Sequence, residues 1–442
     1  MIGKWPLAKI NDISERVAMG PFGSSIKVET FVSNGIPIIS GQHLNGFKID
    51  DKAGYNFITI EHADKLKHAN VYRGDVIFTH AGNIGQVSFI PNNSLYQRYV
   101  ISQRQFFLRP KQDKVLPEYL VAYFKSPEGQ QKLLANTSSV GVPSISQPVS
   151  YLRNLEIPLP PLEEQRAIAH ILCTLDDKIE LNRRMNETLE QMARAIFKSW
   201  FVDFDPVRAK MSGRWKKGDS LPGLPAHLWD LFPDRLVPSE LGDIPEGWPV
   251  ESLSEIVEIN PPRYLKSGQI APYLDMANMP TTGHMPNNII LRPYSSGMRF
   301  INGDTLLARI TPCLENGKTA FVNFLRSGEI GWGSTEYIVL RPKAPFPEQF
   351  TYFLARSSTF RDFAIQSMSG TSGRQRVSPE ALSGFKLVRP SALIALEFGN
   401  LTSRLLDRAK ACSDESRVIA SLRASLLPKL IAGEICINSG IF

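Results

Sequence analysis

The stretch that decides the fold is PLPPLEEQRAIAHIL, Pro158–Leu172, near the middle of the chain. Its prolines end one segment, and the roughly forty residues that follow contain neither proline nor glycine. Because both residue types interrupt helices, their absence predicts one continuous α-helix from about Leu162 to Trp200. At about 1.5 Å per residue, that helix would be on the order of 60 Å long.

The same arrangement occurs again near the C-terminus. LPEYLVAYFKSP from Leu116 resembles FPEQFTYFLARS from Phe346, and FFLRP resembles IVLRP, each at a separation of about 230 residues. Further matches follow in the same order, so the chain is a tandem duplication. Each copy contains short β-rich runs separated by Gly and Asn turns, then a proline stop and a long helix. The second long helix is predicted from about Ala392 to Ile431.

Apolar residues in both predicted helices follow coiled-coil spacing. They recur four, three and four residues apart in the first helix and seven apart in the second. Two long amphipathic helices in one chain most simply bury these faces against each other. The predicted seam consists of Met185, Leu189, Met192, Ile196, Leu405, Cys412, Ile419 and Leu426.

The predicted fold class is α+β, with two similar mixed α/β domains separated by a pair of long coiled-coil-like helices. A proline-rich segment without clear periodicity lies between the copies and is predicted to be an irregular linker. The predicted boundaries are 1–157 for the first domain, 158–203 for the first helix, 204–246 for the linker, 247–390 for the second domain, and 391–442 for the second helix and tail.

Composition narrows the function only slightly. The 442 residues are 43% hydrophobic and 21% charged, with a net charge of +7, which is compatible with a polyanionic partner. The four cysteines are scattered without a CxxC pair, so neither a disulfide framework nor a zinc site is expected. No signal peptide or membrane span is recognisable, and we expect a cytoplasmic protein.

Three short motifs suggest catalysis, and each lacks a required part. ENGKT at Glu315–Thr319 ends like a phosphate-binding loop, but Pro312 occupies the position of the glycine that such a loop needs. Asp203 and Asp205 resemble paired metal-binding carboxylates, but no third acidic ligand follows at nuclease spacing. We therefore expect a hairpin turn at the first motif and a helix terminus at the second.

The third motif is INPPR at Ile259–Arg263. Adenine methyltransferases use Asn-Pro-Pro followed by an aromatic residue that stacks on a flipped-out base. Here Arg263 takes the fourth place and Tyr264 follows one position late, and no glycine-rich loop that would hold S-adenosylmethionine is found. A strand followed by a proline turn is predicted instead, and the chain shows no credible active site.

Two similar but non-identical domains separated by a rigid helical spacer are suited to recognising two separate sites along duplex DNA. The same face of the major groove recurs every 34–36 Å along the duplex. Candidate contacts are polar residues in loops flanked by strands. In the first copy they are Ser24, Ser25, Lys27, Gln42, His43, Thr79, His80, Asn83, Arg98, Gln103 and Arg104. In the second copy they are Arg263, Tyr264, Lys266, Arg309, Asn316, Lys318, Arg374, Gln375 and Arg376.

The motifs themselves resemble a known family. PLPPLEEQRAIAHIL with the helix that follows, LLPKLIAGEI near the end, and GDVIFTHAGNIG, LLARITPCLENGKTAF and GTSGRQRV in the domains are similar to the specificity subunit of type I restriction–modification systems. The resemblance covers essentially the whole chain in the right order. It implies two target-recognition domains, an antiparallel helix pair and a subunit without an active site of its own.

The resemblance also implies partners. These are double-stranded DNA, two methyltransferase subunits, and restriction subunits bound through them, in a bacterial or archaeal cytoplasm. S-adenosylmethionine, ATP and Mg²⁺ are expected on the partner subunits, and this chain is expected to bind no cofactor or metal. Two alternatives stay open. One is an orphan DNA-binding or anti-restriction regulator on the same scaffold, and the other is an adenine methyltransferase fragment.

Overall fold

The structure is a computed structural model and describes residues 5–23, 25–138, 141–286, 288–371 and 373–435. The chain divides into two compact units. The first unit comprises Met1–Leu181 and Glu415–Phe442, and the second comprises Asn182–Asp414. Each long helix is therefore shared between the two units.

The first copy is built of short strands with small helices between them. Its strands are β1 (Leu7–Lys9), β2 (Ser14–Met19), β3 (Ile36–Ile39), β4 (Phe57–Ile58), β5 (Asn70–Tyr72), β6 (Val76–Thr79), β7 (Val87–Phe89), β8 (Arg98–Ile101), β9 (Gln105–Pro110), β10 (Thr137–Ser138), β11 (Ser144–Ile145) and β12 (Glu156–Pro158). Its helices are α1 (Ile10–Ile13), α2 (Ile60–Lys65), α3 (Pro117–Lys125), α4 (Pro127–Leu134) and α5 (Pro148–Asn154).

The middle of the chain contains the first long helix, α6 (Leu162–Phe201), followed by α7 (Asp205–Met211) and the hairpin of β13 (Leu236–Ser239) and β14 (Gly242–Pro245). This segment is more than a linker. Trp215, Leu228 and Phe232 are buried in the core of the second unit together with Trp200 of α6. The irregular backbone of this segment was predicted, but its packing against the second unit was not. Large apolar residues without periodicity do not indicate which element they pack against.

The second copy repeats the plan. Its strands are β15 (Val250–Ser252), β16 (Val257–Ile259), β17 (Ile270–Leu274), β18 (Ile290–Pro293), β19 (Met298–Phe300), β20 (Thr305–Ala308), β21 (Thr319–Phe321), β22 (Gly331–Gly333), β23 (Tyr337–Pro342) and β24 (Lys386–Val388). Its helices are α8 (Leu253–Ile256), α9 (Glu348–Arg356), α10 (Ser358–Gln366) and α11 (Pro379–Ser383), and the second long helix is α12 (Ala392–Ile431).

Sheet topology shows that the copies share one fold. An antiparallel sheet has the order β2-β9-β6-β7 in the first copy and β16-β23-β20-β21 in the second. A second sheet has the order β4-β3-β8-β5 or β18-β17-β22-β19, with its two central strands parallel in both copies. The rejected motifs lie as predicted, with ENGKT in the turn between β20 and β21 and INPPR beginning at the end of β16.

A buried ion pair has the same place in both copies and explains two of the repeated motifs. Arg109 of the FFLRP segment bonds both carboxylate oxygens of Asp75, at 2.8 and 2.7 Å. Arg341 bonds Asp304 at 2.9 Å in the second copy. Each aspartate follows a glycine with φ near +90°, a conformation that favours glycine, so the Gly-Asp pair is needed to form the turn.

The long helices pack antiparallel. Arg423 pairs with Asp176 in the first unit, whereas Asn186 Nδ2 donates to Ser413 Oγ at 2.8 Å in the second. Residue numbers thus rise along one helix as they fall along the other. Each helix also enters both hydrophobic cores, which confirms the prediction of two long paired helices.

The detailed seam differs from the predicted one. Leu189 and Cys412 are buried, but Met185 and Met192 are exposed, and the buried positions of α6 include Ala193 and Phe197 instead. The remaining predicted seam residues are half-buried: Ile196, Leu405, Ile419 and Leu426. Several methionines and alanines of the helix have the same spacing. Only the packing of the helix against its neighbours therefore determines which of these residues are buried.

A buried polar group joins α6 to the second domain. Glu190 accepts a hydrogen bond from the Tyr352 hydroxyl at 2.8 Å and pairs with Arg194 one helical turn away. The Nδ1 atom of His284 lies 4.0 Å from the same carboxylate. Burial, partly opposed by Glu190, lowers the pKa of His284 to about 4, so the ring is neutral at neutral pH.

We expect Leu189→Asp to destabilise the second unit strongly, because a charge would replace a buried side chain in the helix seam. The cost should be about 3 kcal/mol or more, which lowers Tm by roughly 6–12 °C for a unit of this size. Met192→Asp, at a half-exposed position of the same helix, is the matched control. Differential scanning calorimetry of the full chain measures both, and equal losses would contradict the observed seam.

We also expect His284 to make the second unit sensitive to acid. An unfolded histidine titrates near pH 6.5, so between pH 6.5 and about 4 only the unfolded state takes up the proton, and stability falls with pH. At pH 5 the loss should be about 2 kcal/mol. His284→Leu should therefore lose less Tm between pH 7.5 and 5 than the wild type, while His68→Leu, an exposed site in the first unit, should not.

Candidate nucleic-acid interface

Several chain segments meet at one end of the first antiparallel sheet. At this end β2 and β6 terminate and β9 begins, so the loops that follow or precede them share an edge. His80 N donates to Arg104 O at 2.9 Å, Ile145 N to His80 O at 2.8 Å, and Gly20 N to Gln105 O at 2.9 Å. We call residues 20–23, 25–27, 80–86, 102–104 and 141–146 the first loop cluster.

The first loop cluster presents neutral hydrogen-bonding groups and two exposed cations, Lys27 and Arg104. Asn83, Gln103 and Arg104 are exposed. His80 is half-buried with Nε2 3.1 Å from Gln103 O, and burial lowers the pKa of this histidine, so it is neutral at neutral pH. Thr79 was also predicted to contact DNA, but it is buried with its hydroxyl 3.1 Å from Gln86 Oε1, so it supports the cluster from the inside.

Some of the other predicted residues of the first copy are exposed, and others are held by contacts within the domain. Ser25 and Lys27 are exposed in the first loop cluster, and Ser24 lies outside the described residues. Gln42 is exposed in the turn after β3, which a hydrogen bond from Gln86 to Gly41 O joins to the cluster.

Two further predicted residues have structural partners instead. His43 is buried, stacks on Tyr55 with ring centroids 4.4 Å apart, and places Nε2 3.0 Å from Gly54 O. Arg98 stands at the start of β8, at the other end of that strand, and pairs with Asp64 at 2.7 Å. Neither side chain lies free in the cluster, because each is held by contacts within the domain.

The second copy repeats the arrangement with different side chains. Arg309 N donates to Glu336 O at 3.0 Å, Val377 N to Arg309 O at 2.9 Å, and Thr311 N to Gln375 O at 3.0 Å. Strand register therefore makes His80 equivalent to Arg309, Arg104 to Glu336, and Ser144 to Arg376. We call residues 309–318, 334–336, 369–371 and 373–377 the second loop cluster.

A guanidinium–carboxylate pair dominates the second loop cluster. Arg376 Nε and Nη2 bond Glu336, with distances down to 2.7 Å, and these bonds hold the pKa of the Glu336 carboxyl below its usual value. Arg374 and Asn316 are exposed and Gln375 is half-buried. Arg309 is half-buried, and its Nε atom is buried without a hydrogen bond to any described residue.

The remaining predictions for the second copy also separate. Tyr264 and Lys266 are exposed in the segment that follows β16 and are not shown to join the second loop cluster. Arg263 reaches the buried Asp304 at 3.3 Å, and Lys318 Nζ bonds Met276 O, so both cations are engaged within the domain. Sequence reasoning missed Glu336, because only strand register places it against Arg376, which lies 40 positions away.

No group of three His, Cys, Asp or Glu side chains in the described part of the chain is placed to hold a metal ion. Among the same residues, no helix combines the length and apolar character that a membrane span requires. The chain thus contains two domains of one fold, each with a polar loop cluster, and both domains pack against the paired helices.

Comparison with known proteins shows similarity to one family. A profile described as Type I restriction modification DNA specificity domain matches residues 3–191. The HindI specificity subunit of Haemophilus influenzae is 25% identical over 411 residues, which cover 83% of this chain and 87% of the relative. The MjaIX specificity subunit of Methanocaldococcus jannaschii is 24% identical over 452 residues, which cover 98% and 93%.

A solved structure agrees in fold. The S subunit of a type I restriction–modification system from M. genitalium superposes with a TM-score of 0.55 at 16% identity, covering 97% of this chain and 96% of the other. These comparisons confirm the resemblance found in the sequence: over nearly its whole length the chain is similar to specificity subunits of type I restriction–modification systems.

We expect Glu336→Gln to reduce sequence discrimination by the second domain. Loss of the carboxylate frees Arg376 from its fixed position, so the preference for the correct base pair at one position of the DNA target should fall roughly tenfold. Loss of the negative charge should slightly raise the affinity for unrelated duplexes. Dissociation constants for a selected duplex and a scrambled duplex, at one salt concentration, measure this. Glu315→Gln, an exposed site in the same cluster, is the control, and an equal change there would contradict a role for the ion pair.

Proposed function

We propose that each domain reads one half of a bipartite, asymmetric target in duplex DNA. The observation that carries this proposal is that two loop clusters occupy equivalent positions of one fold but differ in chemistry. The first offers imidazole, amide and one guanidinium group at His80, Asn83 and Arg104, and the second offers the guanidinium groups of Arg309 and Arg374. Sequence is read by such hydrogen-bonding groups at base edges, so different groups at equivalent positions favour different half-sites.

The charge of the chain supports a nucleic-acid partner. Its net charge is +7, and the exposed cations in the clusters include Lys27, Arg104 and Arg374. Cations near loops that present polar groups bind phosphates, which fix the orientation of the domain on the duplex but carry no sequence information. The held pair of Arg376 and Glu336 is better suited to specificity, because its geometry is set before DNA binds.

The paired helices and the surface beside them are proposed to bind the other subunits. In the first unit an open groove of about 960 Å³ runs between α6 and the first domain. Charged residues of both signs line it, including Lys48, Glu118, Glu163, Arg166 and Asp177. We propose that two methyltransferase subunits bind to the chain, that restriction subunits bind through them, and that S-adenosylmethionine, ATP and Mg²⁺ bind to those partners, in the cytoplasm.

The test is sequencing of adenine methylation across the host genome with the gene intact, deleted, or carrying another family member's residues 1–150. We expect one bipartite, asymmetric methylated sequence to vanish on deletion and only one half of it to change on exchange. Changes in both halves would contradict independent domains. If methylation is the same with and without the gene, the chain does not direct a methyltransferase, and the orphan DNA-binding regulator would replace this proposal.

A further inference from the structure

Arg309 stands at the end of a strand in the second loop cluster, opposite an acidic residue. Ala308 of β20 pairs with Tyr337 of β23, and the N–H of Arg309, one position further on, donates to Glu336 O at 3.0 Å. Val377 N donates to Arg309 O at 2.9 Å, so the backbone of this residue is held from both sides. Side chains at facing positions of neighbouring strands lie on the same face of the sheet. The side chains of Arg309 and Glu336 are therefore neighbours.

The carboxylate of Glu336 is already bonded to another cation. Arg376 donates to it from both Nε and Nη2, at distances down to 2.7 Å. These bonds are the main cause of the lowered pKa of the Glu336 carboxyl, and the nearby charge of Arg309 adds to the effect. None of the ion pairs between described residues includes Arg309. Two guanidinium groups thus stand beside one carboxylate, and only one of them is bonded to it.

The side chain of Arg309 is half-buried, and its Nε atom is buried without an acceptor among the described residues. Three other arginines have such an Nε atom, but each donates from a terminal nitrogen to a carboxylate or a carbonyl: Arg194, Arg263 and Arg356. A buried polar atom without a partner has lost its bonds to water without replacement, so such atoms are rare. A ligand that brings hydrogen-bond acceptors to Arg309 would recover this loss.

The first domain carries different chemistry at the equivalent position. His80 takes the place of Arg309 and is neutral at neutral pH, with Nε2 3.1 Å from Gln103 O. Both half-sites of a duplex carry the same phosphate backbone, whereas their bases differ. A replacement of imidazole by guanidinium at equivalent, backbone-held positions therefore favours a base over a phosphate as the ligand of Arg309.

We propose, on the basis of the proposed function, that Arg309 reads a guanine in the half-site bound by the second domain. A guanidinium group donates two parallel hydrogen bonds, and guanine presents two acceptors, O6 and N7, at its major-groove edge. No other base presents two acceptors there, so this contact discriminates against the other base pairs. Arg376 engages the Glu336 carboxylate, which therefore does not compete with the base for Arg309. Arg309 is thus a specificity-determining residue of the second domain.

The test begins with selection of bound duplexes from a random pool by the wild-type full-length chain. The half-site of the second domain is the half that stays unchanged when residues 1–150 are exchanged for those of another family member, and it should contain a fixed G·C pair. Arg309→Gln should lower the preference for that pair roughly tenfold or more, measured as dissociation constants for duplexes that differ only there. The preferences in the other half-site should stay unchanged, which shows that the variant is folded.

Two further variants separate base reading from charge. Arg374→Gln is the matched control, because Arg374 is an exposed cation in the same cluster. It should weaken binding to all duplexes by one common factor and leave the base preferences as they are. Arg309→Lys should keep part of the preference for guanine, because a lysine also donates to O6 and N7.

The outcomes distinguish the inference from its alternatives. If the wild type selects no sequence, the proposed function itself fails. If the second half-site contains no G·C pair, or if Arg309→Gln keeps the preference for it, only the guanine contact is overturned. If Arg309→Gln weakens binding to all duplexes equally, Arg309 binds a phosphate, and the inference is wrong. If both Arg309 variants lose the preferences of both half-sites, Arg309 serves the fold, and the inference is equally wrong.

Discussion

The antiparallel pairing of α6 and α12 is the constraint on which both units depend. A helix of 40 residues is stabilised mainly by burial of its apolar face, and here each helix buries that face in two different cores. Leu427 and Leu430, close to the end of the chain, complete the core of the first unit beside Ile168 and Leu172. Phe398 similarly packs with residues of α6 in the second unit. Each domain core is therefore closed by a helix that belongs to the other copy.

The two copies share the same arrangement of sheets and the same buried ion pair but carry different side chains in their loop clusters. The Asp75–Arg109 and Asp304–Arg341 pairs occupy equivalent positions. A buried carboxylate that loses its partner destabilises a fold by several kcal/mol, so neither copy can lose its pair without a large cost. The loop clusters have no such shared pair, because His80 and Arg104 in the first copy correspond to Arg309 and Glu336 in the second. There the copies differ, and there recognition of two unlike half-sites can be built on one scaffold.

The sequence predicted correctly those features whose residue pattern has only one structural explanation. It did not predict which residues are buried where several residues fit the same pattern. The long helices followed from the absence of proline and glycine, but the seam did not, because Met192 and Ala193 fit the spacing equally well and only packing buries Ala193. Thr79 and His43 resemble surface loop residues in sequence, yet both are interior hydrogen-bonding groups.

The sequence by itself determined the duplication, the two mixed domains, the long helices and the resemblance to type I specificity subunits, because each depends on order, spacing and composition along the chain. The tertiary structure alone decided that His80 is equivalent to Arg309 and that Glu336 holds Arg376. These relations join residues far apart in the chain. They are set by strand register, which arises only when the sheets form and local patterns are brought into contact.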